Sequence, residues 1–448
     1  MGCCARRPTP RAVRVEPEDV TVGKLGFTLY ILASTAFFLD LVDLLVRLYL
    51  RREHTARYRG IVAAPTSVPL TVGSFTPYEV KLHTRPFAIV VSVYNASGDI
   101  GIFLEAMKPY RDQIWVIDDA SSDDTTKVVQ AAGFRCVRAP ANRHKPGALK
   151  ALIADLPPTV ETVIVMDPDA RIVTPYEEFV QVIFEFQRSG MAAMCPRIAA
   201  AGSNWLAHIQ RLEYCLAFSV GRKSLANFSI TSGVAVYRRD AIEGLFNEHS
   251  LSAYAEDLEN ALILLAREES IYYDGRLLME TDAVATVGRL FSQRVGWYFG
   301  LMRVYATRWR SLWRRSARHP GFAYQYLIYI GCFVVLLHPM KLLGLGVLIL
   351  SALNGIDNLW ALHLIPDVTF TNPFYFQTVY LQYVGLMLLA WATAVGRRER
   401  WQVLPIVPIY PLYALAHIVP STIGYINWFT VRLWGRRVYR DHYQPALP

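Results

Sequence analysis

Two kinds of apolar patterning divide the chain. Short β-branched runs, each ending in a polar or acidic residue, occupy its middle, and long unbroken apolar stretches lie on both sides. Phe87–Val93 (FAIVVSV), Ile114–Ile117 and Thr162–Met166 are apolar at nearly every position. That pattern predicts strands covered on both faces, as in a parallel sheet. Helical stretches are predicted around Ile100–Met107, Thr125–Ala132 and Gly147–Asp155. Strands alternating with helices imply an α/β fold with a doubly wound, mostly parallel sheet. In such a sheet ligands bind beyond the carboxyl ends of the strands. Asp118 and Asp167 stand at two of those ends.

The flanking stretches are long enough to suggest a bilayer. Leu25–Val46 is about one span in length, and no small-residue cleavage site follows it. It contains Asp40 and Asp43, which share a helix face, and Arg47 lies one turn beyond Asp43. After Phe322, the segments Tyr324–Leu337, Leu342–Leu362, Phe374–Val395 and Val403–Phe429 are further candidates. The last carries Pro405, Pro408, Pro411 and Pro420, so a bent or re-entrant course is expected. The resulting division is a basic tail (1–24), a transmembrane helix (25–50), a linker (51–85) and an α/β domain (86–290). An amphipathic interfacial segment (291–322), transmembrane or re-entrant helices (323–431) and a C-terminal tail (432–448) follow.

Composition supports a membrane setting. Hydrophobic residues make up 53% of 448 and charged residues 19%, less charge than a soluble protein usually carries. The net charge is +9. Its arginines gather beside apolar stretches, at Arg47–Arg59, Arg308–Arg318, Arg397–Arg400 and Arg432–Arg440. This placement points to anionic lipid and cytoplasmic flanks, and away from nucleic acid. The expected location is a plasma or bacterial inner membrane, with several crossings and the α/β domain in the cytoplasm. The six cysteines form no CxxC pair and no zinc spacing, as expected of isolated thiols in a reducing compartment.

Four short stretches carry candidate chemistry: IDDASSDD (Ile117–Asp124), MDPDA (Met166–Ala170), AEDLEN (Ala255–Asn260) and SQRVGW (Ser292–Trp297). Asp167 and Asp169, two apart past a buried strand, can aim at one hard cation, Mg²⁺ or Mn²⁺, bridging a pyrophosphate. Asp118 and Asp119 can accept hydrogen bonds from a nucleoside, while Ser122 and Asp123 suit a helix cap. Lys145 and the amides near Gly147 suit an anionic or nucleotide ligand. Asp257, with Glu256 as its partner, can take a proton from an attacking hydroxyl; an acidic first turn would equally favour a helix dipole. Gln293 and Trp297 share a helix face with Arg294 beside them. Trp can stack on a sugar, and Arg can stabilise a departing diphosphate. Each motif alone has a plainer explanation as a turn, a cap or an interfacial anchor.

Taken in order, the set resembles the membrane-integrated family 2 glycosyltransferases, the class of hyaluronan, chitin and cellulose synthases. The resemblance runs from about Phe87 to Trp297. It implies a GT-A-type domain flanked by transmembrane helices, a UDP-sugar donor, a divalent metal and a polysaccharide acceptor. Residue by residue, it implies that Asp118 and Asp119 contact uridine, Lys145 and Gly147 border the uracil, and Asp167 and Asp169 form the metal-binding DxD. Thr231, Ser232 and Gly233 would line the acceptor site, and Asp257 would be the base. Gln293, Arg294 and Trp297 match a QxxRW-type motif that attends diphosphate and acceptor. Two positions depart from the family pattern. Gly296 replaces an arginine, a charged contact worth ~1.5–3 kcal/mol, and Leu258 replaces the arginine that hyaluronan and chitin synthases place after ED. Arg294 or Arg303 would have to compensate. The resemblance therefore implies inverting transfer onto a growing polysaccharide with translocation. A single addition to a lipid acceptor and a catalytically inactive membrane scaffold are the alternatives.

Overall fold

A computed structural model describes residues 37–51, 84–225, 228–346, 349, 353 and 373–441. The expected basic tail, the linker, most of Leu342–Leu362 and the first part of Leu25–Val46 lie outside these residues. Eight strands form one open sheet: β1 (Phe87–Val93), β2 (Ile114–Asp118), β3 (Arg135–Arg138), β4 (Thr162–Met166), β5 (Ala170–Ile172), β6 (Ala193–Ala201), β7 (Ala235–Arg238) and β8 (Ile271–Asp282). The order is β3-β2-β1-β4-β7-β6-β8-β5. The β1–β2, β1–β4, β2–β3 and β6–β8 pairs are parallel, whereas β4–β7, β6–β7 and β5–β8 are antiparallel. The sheet is thus mixed, and its parallel character belongs mainly to the half whose strands read as unbroken apolar runs. The other half includes β8, IYYDGRLLMETD, whose Asp, Gly and Arg hide it from a hydrophobic scan.

Alternation along β1 shows why its apolar run is continuous. Ile89, Val91 and Val93 enter one core with Phe103, Ile164, Phe179 and Met194. Ala88 and Val90 enter a second core on the opposite face with Leu149, Val163, Ile242 and Leu262. Each fully buried Val or Ile contributes roughly 1.5–3 kcal/mol. The order β2-β1-β4 reverses direction between β1 and β4, which opens a crevice at the carboxyl ends of Val93 and Met166.

The helices are α1 (37–51), α2 (Ile100–Ala106), α3 (Thr125–Ala131), α4 (His144–Ala154), α5 (Tyr176–Ser189), α6 (Trp205–Leu216), α7 (Arg239–Phe246), α8 (Glu256–Ala266) and α9 (Val287–Arg318). Beyond them lie a helical segment Ala323–Leu336, then α10 (Pro373–Ala394), α11 (Arg397–Val403), α12 (Tyr410–Ala416) and α13 (Ile418–Trp434). Two starts differ from the apolar periodicity. Helix α4 begins three residues before Gly147, and α8 begins at Glu256, so Lys145, Glu256 and Asp257 all sit in first turns. As their spacing predicts, Arg47 Nε donates to Asp43 at 2.7 Å.

Among the described residues, no single helix is long and apolar enough to cross a membrane. Two bent pairs meet the length and composition of a span: Pro320–Leu336 with His338–Gly346, bent by 40°, and Arg400–Ile406 with Tyr410–Trp434, bent by 62°. The second bend falls in the proline-interrupted stretch. These pairs cover the expected segments Tyr324–Leu337 and Val403–Phe429, while Phe374–Val395 appears as α10, interrupted by Gln377 and Gln382.

Helix α9 ties the parts together by packing on α8 and α13. Gly424 of α13 makes the second approach possible, because a Cβ there would stand 2.7 Å from Tyr298 Cβ and 2.8 Å from the Val295 carbonyl. Backbone atoms cannot retreat as a flexible side chain can. Gly424→Ala should therefore lower stability by about 1–3 kcal/mol, read as a fall in thermal unfolding midpoint. An unchanged midpoint would show that the two helices are free to part.

Candidate active site

The site lies where four chain segments reach the crevice, and their backbone is strained there. Asn95 after β1 (φ 49°), Ala120 after β2 (φ 63°), His144 opening α4 (φ 59°) and Ala255 before α8 (φ 52°) are all left-handed without being glycine. Such conformations cost on the order of 1–3 kcal/mol each and persist only where the surroundings enforce them. Here the loops after β1 and β2 are stitched together. Asn95 accepts from the Ser122 amide at 2.8 Å, the Ala96 amide donates to Thr125 Oγ1 at 2.8 Å, and Ser97 donates to Asp123 at 2.8 Å. Asp123 also accepts from the Thr125 hydroxyl and from the Thr125 amide, the latter at 3.0 Å, while the N-cap position itself falls on Asp124 rather than on Ser122 or Asp123. These donors hold its carboxyl well below the usual range.

Asp118 is fully buried at the end of β2. One oxygen accepts from the Ser121 amide at 2.8 Å, and the other faces the Thr126 hydroxyl and Arg138, the latter at 3.5 Å. Its carboxylate is engaged in closing its own loop. Asp119, also buried, accepts from the Arg143 amide at 2.8 Å and so ties β2 to the start of α4.

Lys145 is the centre of the arrangement. Its ammonium lies 2.5 Å from Asp167 and 2.8 Å from Glu256, joining the MDPDA and AEDLEN motifs, which are far apart in sequence. Burial opposes its charge, but the two carboxylates win and hold its pKa well above the ordinary lysine value. Gly147 lies two residues further on, buried, where a Cβ would crowd Arg143 Cβ at 2.9 Å. Gly233 has a similar need for space: a Cβ there would collide with Asp167 Oδ2. Ser232 and Thr231 beside it are buried, and their hydroxyls donate to the Val234 carbonyl at 2.6 Å and the Asp257 carbonyl at 2.7 Å. The segment Thr231–Gly233 thus connects the metal motif to the ED motif.

The carboxyls of Asp167 and Asp169 are both pushed up, first by burial. Asp169 reaches about 6, with the Asp167 charge as the second cause. Two crowded carboxylates beside a glycine-lined gap suit a hard divalent cation whose remaining ligands are water and substrate phosphate oxygens. Among the described residues no group of three or more His, Cys, Asp or Glu side chains could hold a metal by itself. Asp167 and Asp169 are the two carboxylates here that could contribute to holding a cation.

Asp257 is also pushed up to about 6, by burial first and the Glu256 charge second, with Arg222 and Lys145 opposing. Arg222, which belongs to none of the motifs, holds the Ile230 carbonyl at 2.5 Å and reaches the Thr231 carbonyl. Of the third acidic residue in AEDLEN, Glu259, nothing is exposed. It accepts from Ser250 at 2.6 Å, Arg308 at 2.7 Å and Arg303 at 2.9 Å, contacts that hold its carboxyl down at about 2. Arg303 is therefore committed to clamping α9 on α8, which removes it as a substitute for the arginine missing at Gly296.

Arg294 is likewise buried, 1% exposed. Its guanidinium lies 2.6 Å from Glu213 of α6, which also accepts from Tyr413 of α12 at 2.9 Å, and stacks over the Trp297 ring at 3.8 Å. Gln293 accepts from Arg294 at 3.3 Å. The charge expected to face a diphosphate is thus balanced by Glu213. Glu213 is the lone acidic residue of WLAHIQRLEYCL, and only the meeting of α6, α9 and α12 reveals its role. Gly296 is buried one turn from Gly300, whose own Cβ would stand 2.8 Å from Ala255. Trp297 keeps 38% of its surface exposed.

One more contact reaches this loop from the far end of the chain. Tyr254, three residues before Asp257, donates to Asp441 at 2.8 Å and accepts from Arg437 at 2.5 Å. Buried Asn427 anchors that tail by accepting from the Val438 and Tyr439 amides at 3.0 Å.

Residues 88–246 match the family model described as glycosyl transferase family 2. That stretch is similar to the family's domain. The match runs from β1 through α7 and takes in Asp118, Lys145, Asp167, Asp169 and Gly233, while the ED and Gln293–Trp297 motifs lie beyond it. Similar solved structures include a mannosyltransferase from Pyrobaculum calidifontis in complex with GDP-Man and Mn²⁺. It is 15% identical, with a TM-score of 0.49, over 92% of this chain and 99% of that one. Glucosyl-3-phosphoglycerate synthase from Mycobacterium tuberculosis, in complex with Mn²⁺, UDP and glucosyl-3-phosphoglycerate, is 16% identical, with a TM-score of 0.35, over 52% and 86%. Mannosyl-3-phosphoglycerate synthase from Rubrobacter xylanophilus is 16% identical, with a TM-score of 0.34, over 54% and 80%. No curated protein matches the chain significantly in sequence.

Two predictions follow from this geometry. If Asp257 is the base, it must be ionised, so kcat/KM should climb tenfold per pH unit below about pH 6 and level off above it. Its contribution to folding stability should run the other way. The raised carboxyl favours the folded state at low pH, and that contribution is lost as pH rises through about 6. A flat rate profile between pH 5 and 7 would remove Asp257 from the role. Arg294→Ala strands Glu213 and should cost ~3 kcal/mol in chemical denaturation, whereas Gln293→Ala should cost less than about 1 kcal/mol.

Proposed function

We propose that this chain is an inverting, membrane-associated glycosyltransferase that moves a sugar from a UDP-sugar to an acceptor hydroxyl. The observation that carries this reading is the Lys145 bridge, which sets Asp167 and Asp169 beside Glu256 and Asp257 in one crevice of a family 2 domain. Asp257, with its raised pKa, takes the proton of the acceptor hydroxyl as that oxygen attacks the anomeric carbon from the face opposite the departing diphosphate. A divalent cation held by Asp167 and Asp169, Mg²⁺ or Mn²⁺, would supply charge neutralisation at the diphosphate. Lys145 is placed to exchange its carboxylate partners for phosphate oxygens when donor binds. Asp119 and the α4 amides border the nucleoside side of the crevice, and Trp297 offers its exposed face to the acceptor.

The acceptor is the finer question. The family resemblance suggests a growing polysaccharide with translocation through the membrane helices. A single addition to a lipid-borne acceptor is favoured by a specific arrangement: Arg294 is neutralised by Glu213, Arg303 by Glu259, and Gly296 supplies no cation. The two bent apolar pairs and the arginine-rich flanks support a membrane setting, with the catalytic domain on the cytoplasmic side where nucleotide sugars are made.

The test is transfer from radiolabelled nucleotide sugars by the purified full chain with Mn²⁺ or Mg²⁺. UDP-glucose, UDP-N-acetylglucosamine and UDP-glucuronate are the first donors, with GDP-mannose as the contrast. A short lipid-extractable product supports single addition, and a high-molecular-weight product supports polymerisation. Turnover of GDP-mannose alone would overturn the uridine assignment. Asp257→Asn should lower transfer by about 10²–10⁴-fold while UDP binding survives. Loss of binding as well would mean that the base has been misplaced.

A further inference from the structure

The C-terminal half of α9 carries an arrangement that sugar transfer does not use. Trp309 and Trp313 are 57% and 60% exposed. They sit four apart, beside a second row formed by Arg310, Arg314 and Arg318 at the same spacing. At the foot of this double stripe is a cavity of about 190 Å³ lined by Ala266, Glu268, Ser311, Arg314, Arg315 and Arg318. A water molecule's share of liquid volume is about 30 Å³, so the cavity has room for a phosphate group with some of its hydration.

Its charge is unbalanced. Glu268, at the end of α8, lies 2.8 Å from Arg315 Nη1 and 3.3 Å from Arg318 Nη1. One carboxylate thus answers three guanidinium groups. Arg315 is 7% exposed, and its Nε and Nη1 are buried with no hydrogen-bond acceptor among the described residues. Its contact with Glu268 is close but lacks hydrogen-bond geometry. Buried donors of a charged group without acceptors are costly unless a ligand supplies them.

We propose that this cavity is a binding site for the phosphate of an anionic phospholipid headgroup. Arginine forks match phosphate oxygens two at a time, and Ser311 adds a hydroxyl donor. The lipid source is argued from what adjoins the cavity. The exposed tryptophans are of the kind that settle at a membrane interface. Two residues after Arg318 the chain enters the bent apolar pair Pro320–Leu336 and His338–Gly346. If that pair enters the bilayer, the cavity stands at headgroup depth. The site lies at the end of α8 opposite Glu256 and Asp257, so a headgroup here would fix the angle of the helix that presents the base without touching substrate. The inference rests on the membrane reading given above.

Native mass spectrometry of the full chain in an uncharged detergent tests it. The ligands are dioctanoyl phosphatidylglycerol, dioctanoyl phosphatidylcholine and inorganic phosphate. Phosphatidylglycerol should be retained in preference to phosphatidylcholine. The double variant Arg314→Gln/Arg318→Gln, both exposed positions, should weaken that retention by about tenfold or more, and Glu268→Gln should strengthen it. Sugar transfer by the double variant in detergent should be unchanged. Equal retention by the double variant would overturn the site. Inorganic phosphate binding as well as phosphatidylglycerol, with no preference between the two lipids, would overturn the lipid source. Alkaline carbonate extraction of the native membranes separates the two failures. A chain released by carbonate overturns the membrane reading itself, whereas a chain that stays while the variants behave like wild type overturns only the cavity.

Discussion

A single ammonium group organises the centre of this protein. Lys145 stands between Asp167 and Glu256, and without it the carboxylates of two motifs would crowd the crevice with Arg222 as the remaining countercharge near Asp257. Burial first, and the charge of neighbouring carboxylates after it, raise the pKa values of Asp167, Asp169 and Asp257. A buried cluster of this kind is stable only while it stays paired. In the proposed reaction it would trade partners with a diphosphate and its cation. Gly233 belongs to the same constraint, since any side chain there would occupy the space that Asp167 needs.

Around that centre, the long helix α9 acts as a brace. It is fixed to α8 through Glu259, Arg303 and Arg308, to α6 through Arg294 and Glu213, and to α13 through the gap at Gly424. The Tyr254–Arg437–Asp441 contacts add the C-terminal tail to the loop that carries the base. Movements of the apolar C-terminal helices would therefore be felt at Asp257 through directed hydrogen bonds as well as through packing. Of the strained residues, Ala255 lies against α9 at Gly300.

Much of the site was legible from residue order alone, because the strands that carry it are unbroken apolar runs. β1 and β4 match their expected bounds, and acidic residues stand at the carboxyl ends of β2 and β4. The antiparallel half of the sheet was not legible. β8 mixes charge with apolar residues and has a partner on each side, and its pairing depends on a bulge near Pro196–Arg197 in β6. Arg303 is a different kind of miss. Spacing alone made it a candidate near the diphosphate, but buried Glu259, four residues past Ala255, draws it elsewhere.

The sequence by itself determined which chemistry is present: paired carboxylates after buried strands, an ED pair opening a helix, an exposed-capable tryptophan on α9, and a missing arginine at Gly296. These are local facts of residue type and periodicity. Only the tertiary structure decided which charges remain available. Asp118 is spent on its own loop, Arg294 on Glu213 and Arg303 on Glu259, whereas Lys145 bridges two motifs and Arg315 is left with donors unanswered. The reason is physical. A charge buried away from water must take whatever partner the fold brings within about 3 Å, and partners dozens to hundreds of residues apart carry no mark of that meeting in the linear chain.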